Sequence, residues 1–206
     1  MSALLPVSLD LSRLSVLLIG NGARAERRLR LLDEAGATRL RVFSADPGAE
    51  LSARAGDRLR RRLPEAEDFK GVNLVFVADF QADAAHRIAE RARAQGALIN
   101  VEDVAAACDF QSAAVVRRGD LVLGIATGGR CPMLARVLKD WLERVLPLDF
   151  RAAAEALSSE RKRHRAAAAG TMPLEAAVMR AVSRLRPAFH RRARPMRAPD
   201  QIEPTA

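Results

Sequence analysis

Lysine, cysteine and histidine are scarce in this chain, and no long apolar run occurs. Of 206 residues only three are lysine, Lys70, Lys139 and Lys162, although Lys and Arg together number 34. Positive charge is therefore carried by arginine, whose planar fork favours paired contacts to carboxylates over the point contacts of an ammonium. The histidines, His86, His164 and His190, are scattered, and none is assigned a catalytic role. Cys108 and Cys131 lack a metal-ligand spacing; they are expected to be reduced packing thiols in a cytoplasmic protein. No apolar run approaches the roughly 20 residues of a membrane span. Leu74 to Ala78 and Leu121 to Ala126 are strand-sized. No charged leader followed by an apolar core is seen, so no secretion signal is expected. Internal repeats are absent.

The most informative stretch present is Leu14 to Leu32, LSVLLIGNGARAERRLRLL. An apolar run, Val16 to Ile19, predicts a strand. Gly20-Asn21-Gly22 turns the chain. Ala25, Leu29, Leu32 and Ala35 then recur at helical spacing. Strand, glycine turn and helix in that order suit the first unit of a dinucleotide-binding domain. Gly20 permits the tight turn, Gly22 lets backbone approach a pyrophosphate, and small Ala25 lets the helix pack close to the strand. The helix N-terminus adds free N–H groups and partial positive charge. A tight strand-to-helix turn that binds nothing fits the same residues.

The rest of the first half alternates strand and helix, which predicts a parallel sheet with helices on both faces. Strands are expected near 14–20, 40–43, 73–78 and 97–101. Helices are expected near 22–36, 50–63 and 81–95, with Gly36 and Gly96 at their ends. The second strand ends at Ser44, with Asp46 just beyond and no arginine directly following, which favours NAD over NADP. The pattern then changes. Residues 112–116 and 121–126, joined by Arg117-Arg118-Gly119-Asp120, predict a hairpin. Thr127-Gly128-Gly129-Arg130 leads into a helix over 132–145, with Pro132 in its first turn. Met133, Leu134, Val137, Leu138 and Trp141 form its apolar stripe. Helices near 149–168 and 173–187 and a poorly ordered tail from His190 complete the expectation. Residues 151–206 carry 12 Lys and Arg against 5 Asp and Glu, so +7 of the net +9 lies there. Such a segment could attract nucleic acid, acidic lipid or a polyanionic small molecule. No nucleic-acid recognition motif accompanies the charge, so neither nucleic acid nor membrane is expected as a partner.

The order GNGARAERR at 20–28, NVED at 100–103, CDF at 108–110, AAVVRRGDLVLGIATGG at 113–129 and CPMLARVLKDWLERVLP at 131–147 resembles the precorrin-2 dehydrogenase / sirohydrochlorin ferrochelatase family. That family also forms the N-terminal module of siroheme synthases. The resemblance covers residues 4 to about 147. It implies a Rossmann-type α/β sheet over 1–111, a dimerisation hairpin and helix over 112–148, and a small helical C-terminal domain over 149–206. It implies a cytoplasmic homodimer that oxidises precorrin-2 to sirohydrochlorin with NAD, and Fe²⁺ as a second substrate in members that go on to siroheme. Cofactor contacts would come from Gly20, Asn21, Gly22, Ala23, Arg24, Ala25, Ser44, Val77, Ala78 and Val101. Asp103 matches the family's key aspartate, and a carboxylate beside the last strand is a sensible base for the departing proton. Thr127 and Gly128 match the loop before the PMLAR helix. Arg117, Arg118 and Arg130 are candidates for the carboxylates of the tetrapyrrole. Asn21, Asp79-Phe80-Gln81, Ala85, Gln111-Ser112, Arg130 and Cys131 depart from the family pattern.

Without the resemblance, Asp103 reads as a turn residue after a strand, with Glu102 as the neighbouring acid. Thr127 to Gly129 then only begin a helix. The rival function is a non-catalytic nucleotide- or tetrapyrrole-binding protein on the same scaffold.

Overall fold

A computed structural model describes residues 4–119, 121–146 and 155. The expected helices beyond residue 148 and the tail from His190 lie outside these. The chain divides after Ser112 into two units.

In the first unit the glycine turn joins β1 (Ser15–Ile19) to α1 (Ala23–Glu34). There follow β2 (Arg39–Phe43), α2 (Ala49–Ala55), β3 (Leu59–Arg60), β4 (Leu74–Val77), α3 (Ala82–Ala94) and β5 (Leu98–Val101). All five strands are parallel, in the order β3-β2-β1-β4-β5. Each strand shows one face to each helical layer, because side chains alternate along a strand. Val16, Leu18, Leu40, Val42, Leu74 and Phe76 pack with Leu29 and Leu32 of α1 and Leu51 of α2. Leu17, Ile19, Val75, Val77, Ile99 and Val101 pack with Ala85, Ile88, Ala89 and Ala92 of α3. Burial on both faces explains why the strands read as continuous apolar runs. β1 is central: the chain first builds outward through β2 and β3, then crosses to β4 and β5. The crevice at the C-terminal ends of β1 and β4 is thus the topological switch point, where open α/β sheets bind ligands.

One expectation is overturned. Residues 50–63 do not form a single helix. α2 stops at Ala55, Gly56 takes a positive φ of 53°, a 3₁₀ turn follows, and β3 adds to the sheet edge. Positive φ favours glycine, and it breaks the helix there.

The second unit pairs β6 (Ala114–Arg118) with β7 (Leu121–Ile125) as an antiparallel hairpin, followed by α4 (Pro132–Val145). Pro132 occupies the first turn of α4 as expected. The α4 stripe is largely uncovered: Met133 is 63% exposed, and Leu134, Leu138 and Trp141 are exposed too, while Ala135 and Val145 are buried.

Candidate active site

The glycine turn is built by close packing. A Cβ on Gly20 would lie 2.6 Å from Ala25 Cβ and 2.8 Å from the Ala78 carbonyl oxygen, so only glycine fits. Ala25, Val77, Ala78 and Val101 are buried and frame the ends of β4 and β5 and the start of α1. Asn21 links the turn to the tip of β2: its Oδ1 accepts the Ser44 hydroxyl at 2.8 Å. Ser44 is wholly buried, so its hydroxyl holds the loop rather than facing the crevice. Beside the turn lies a cleft of about 230 Å³, lined by Asn21, Gly22, Ala23, Glu26 and Gly48 to Leu51.

At α1's start, Ala23 and Arg24 have first-turn N–H groups without intrahelical acceptors. The neighbouring donors are taken. Asp79, immediately beyond β4, accepts the Gly22 N–H at 3.0 Å and the Ala25 N–H at 2.9 Å through the same Oδ2. Sequence reasoning gave Asp79 no role, because the contact spans 57 residues.

Asp103 reaches this turn from the other side of the crevice. Its φ is 62°, a left-handed conformation that aspartate tolerates. Its Oδ2 lies 2.5 Å from Arg24 Nη1, so the expected cofactor-contacting arginine and the expected catalytic aspartate form an ion pair. The loop carrying Asp103 is anchored on both sides. Asp109 accepts the Ile99 N–H at 3.0 Å and the Arg93 guanidinium at 2.9 Å. The Cys108 thiol donates to the Val101 carbonyl at 3.1 Å, so this cysteine packs and bonds locally. Glu102, the neighbouring acid, has a buried oxygen, Oε2, with no hydrogen-bond partner. Near it Arg28 donates to Ser112 Oγ at 2.7 Å and lies over the Phe76 ring. Burial pushes the Arg28 guanidinium below its usual range, and the Glu102 charge opposes that shift.

The remaining expected residues lie in the second unit. Thr127 Oγ1 donates to the Cys131 carbonyl at 3.0 Å, while Gly128 and Gly129 take positive φ, so this stretch shapes the start of α4. Arg118 folds back, donating to the Glu143 carbonyl at 2.5 Å and to the Arg117 carbonyl at 2.8 Å. Arg117 and Arg130 are solvent-exposed. Among the described residues no group of three or more His, Cys, Asp and Glu could hold a metal ion, and no helix is long and apolar enough to cross a membrane.

Comparison with known proteins agrees with this geometry. The family described as "Putative NAD(P)-binding" matches residues 7–114. A siroheme synthase of Methylococcus capsulatus is 36% identical over 166 residues, 79% of this chain and 35% of that protein. A siroheme synthase of Ectopseudomonas mendocina is 37% identical over 147 residues, 71% of this chain and 32% of that protein. The chain thus spans about a third of the length of these relatives. The solved structure of SirC, a precorrin-2 dehydrogenase, shares the fold with a TM-score of 0.69 at 21% identity, over 91% of this chain and 98% of that one. With a nucleotide-type crevice, a family match across half its length and siroheme synthases as sequence relatives, the chain belongs to this NAD(P)-binding family.

Proposed function

We propose that the protein oxidises precorrin-2 to sirohydrochlorin with NAD as hydride acceptor, in the cytoplasm and as a homodimer. The observation that carries this reading is the Arg24–Asp103 pair, which brings a carboxylate against the helix that starts at the glycine turn. The residues fit a dinucleotide. Gly20 closes the tight turn at the start of α1, Ala23 and Arg24 offer first-turn N–H groups, and Arg24 adds a cation for a diphosphate. The cleft beside Asn21 and Gly48 suits the adenosine end. Asp46, exposed past the β2 tip, favours a free ribose hydroxyl over a phosphate there, which supports NAD.

A bound nicotinamide would supply the hydride acceptor for the oxidation. Asp103 then performs the other half of the oxidation: its carboxylate accepts the departing proton at an oxygen. Arg24 orients that carboxylate until the substrate arrives. Arg117 and Arg130, exposed in the second unit, carry guanidinium groups suited to carboxylates. Asp103 would also receive pyrrole protons if Fe²⁺ is inserted afterwards. The homodimer is supported by the uncovered apolar face of α4.

Asp103→Ala tests the reading against a non-catalytic binding protein. Loss of NADH formation with NAD⁺ binding retained supports the dehydrogenase. A wild-type protein that binds NAD⁺ and precorrin-2 without forming NADH makes it a binding module.

A further inference from the structure

The Asp79 carboxylate stands on the donors that a cofactor's diphosphate would seek. We propose that Asp79 is a built-in competitor for that diphosphate, so that this chain binds its dinucleotide loosely and releases it readily. The inference rests on the cofactor reading above.

Three observations carry it. First, one oxygen, Oδ2, takes both the Gly22 and the Ala25 N–H, at 3.0 and 2.9 Å, which is how an anion oxygen seats on a helix start. Second, the clearance that glycine gives at position 22 is already used. A Cβ there would lie 3.2 Å from the Asp79 carboxyl carbon and from Oδ2. The bare backbone that would admit a phosphate therefore admits this carboxylate in its place. Third, Asp79 is solvent-exposed and reaches the turn from the end of β4, across the crevice. It is a surface group that can swing away, unlike a buried cap locked in the core. α1 supplies no side-chain cap of its own at Gly22, so the positive end of the helix meets whichever anion is present.

A carboxylate and a diphosphate cannot share two N–H donors, and their like charges repel at contact. Seating the cofactor thus turns Asp79 outward and exposes the Gly22 and Ala25 N–H groups to the incoming anion. A positioning residue that pre-arranged the turn would have the opposite signature, because its loss would weaken binding.

Asp79→Asn separates the two. The amide oxygen still accepts both N–H bonds, and asparagine tolerates the positive φ of 62° at this position. Calorimetric titration should show NAD⁺ binding about tenfold tighter to Asp79→Asn than to wild type, with the gap narrowing as salt screens the charge. Inorganic diphosphate should gain similarly, and adenosine, which carries no phosphate, should not. Asp79→Gly keeps the backbone conformation and frees both donors; it should gain at least as much, and it replaces the first variant if that one fails to fold. In the wild type, the Asp79 carboxyl carbon and the Gly22 amide should shift together in NMR spectra as NAD⁺ is added. Unchanged or weaker NAD⁺ binding in the variants, an equal gain for adenosine, or an unmoved Asp79 signal overturns the assignment and leaves the cofactor reading intact. Absence of NAD⁺ binding by wild type and both variants overturns the cofactor reading itself.

Discussion

A methyl group on Gly20 has nowhere to go, because Ala25 Cβ and the Ala78 carbonyl already bound the space. Gly20→Ala is therefore expected to destabilise the first unit by about 1–3 kcal/mol in chemical denaturation, as overpacking does, and to lower NAD⁺ affinity by moving α1 off β4. Asp103 behaves differently. Its pair with Arg24 is exposed on both sides, and such pairs add at most about 1 kcal/mol to stability. Asp103→Asn should leave the melting temperature close to wild type while NADH formation falls at least about a hundredfold, the loss expected for a general base. Glu26 supplies a pH test. Arg30, then Arg54, holds its carboxyl below the usual carboxylate range. The unfolded chain takes up that proton first, so the stability Glu26 contributes is present above pH 4.5 and is lost as pH falls below it. Melting curves across this range should fall less steeply for Glu26→Gln than for wild type. A parallel pair of curves would remove Glu26 from the account of acid sensitivity.

Among the elements, legibility followed length and packing. β1, β4 and β5 were readable as apolar runs because both faces are buried, and α1 and α3 because their apolar residues recur at helical spacing. α4 was readable to the residue through Pro132 and its stripe. β3 was not. It has two residues, pairs only at Val42 and Phe43, and lies in an arginine-rich stretch whose charges suit a helix surface equally well. Asp79 stood out only as a departure from the family pattern, because nothing local marks a residue whose partners are two backbone N–H groups on a distant turn. Ser44 was read as a cofactor contact from its place at the strand tip, yet its hydroxyl is bound to Asn21, a side-chain pairing that spacing does not reveal. The α4 stripe shows that amphipathicity predicts an apolar face without saying what covers it. Met133, Leu134, Leu138 and Trp141 are expected to meet a second copy. Light scattering should give twice the chain mass for wild type and the single-chain mass for Leu138→Arg. A wild type of single-chain mass would contradict the homodimer.

For the whole molecule, fold and family were legible together, since motif order along 20–147 and the strand order of the sheet point to the same architecture. The proposed function rests on the chemistry of the first unit, a nucleotide-type turn with a carboxylate at hand. The most direct test is anaerobic incubation of the full chain with precorrin-2 and NAD⁺, reading NADH and sirohydrochlorin by absorbance, with Asp103→Asn in parallel. The expected result is one NADH for each sirohydrochlorin with wild type, and formation at least about a hundredfold slower with the variant. No NADH from wild type, or equal rates from both proteins, would contradict an oxidation carried out at the glycine turn with Asp103 as its base.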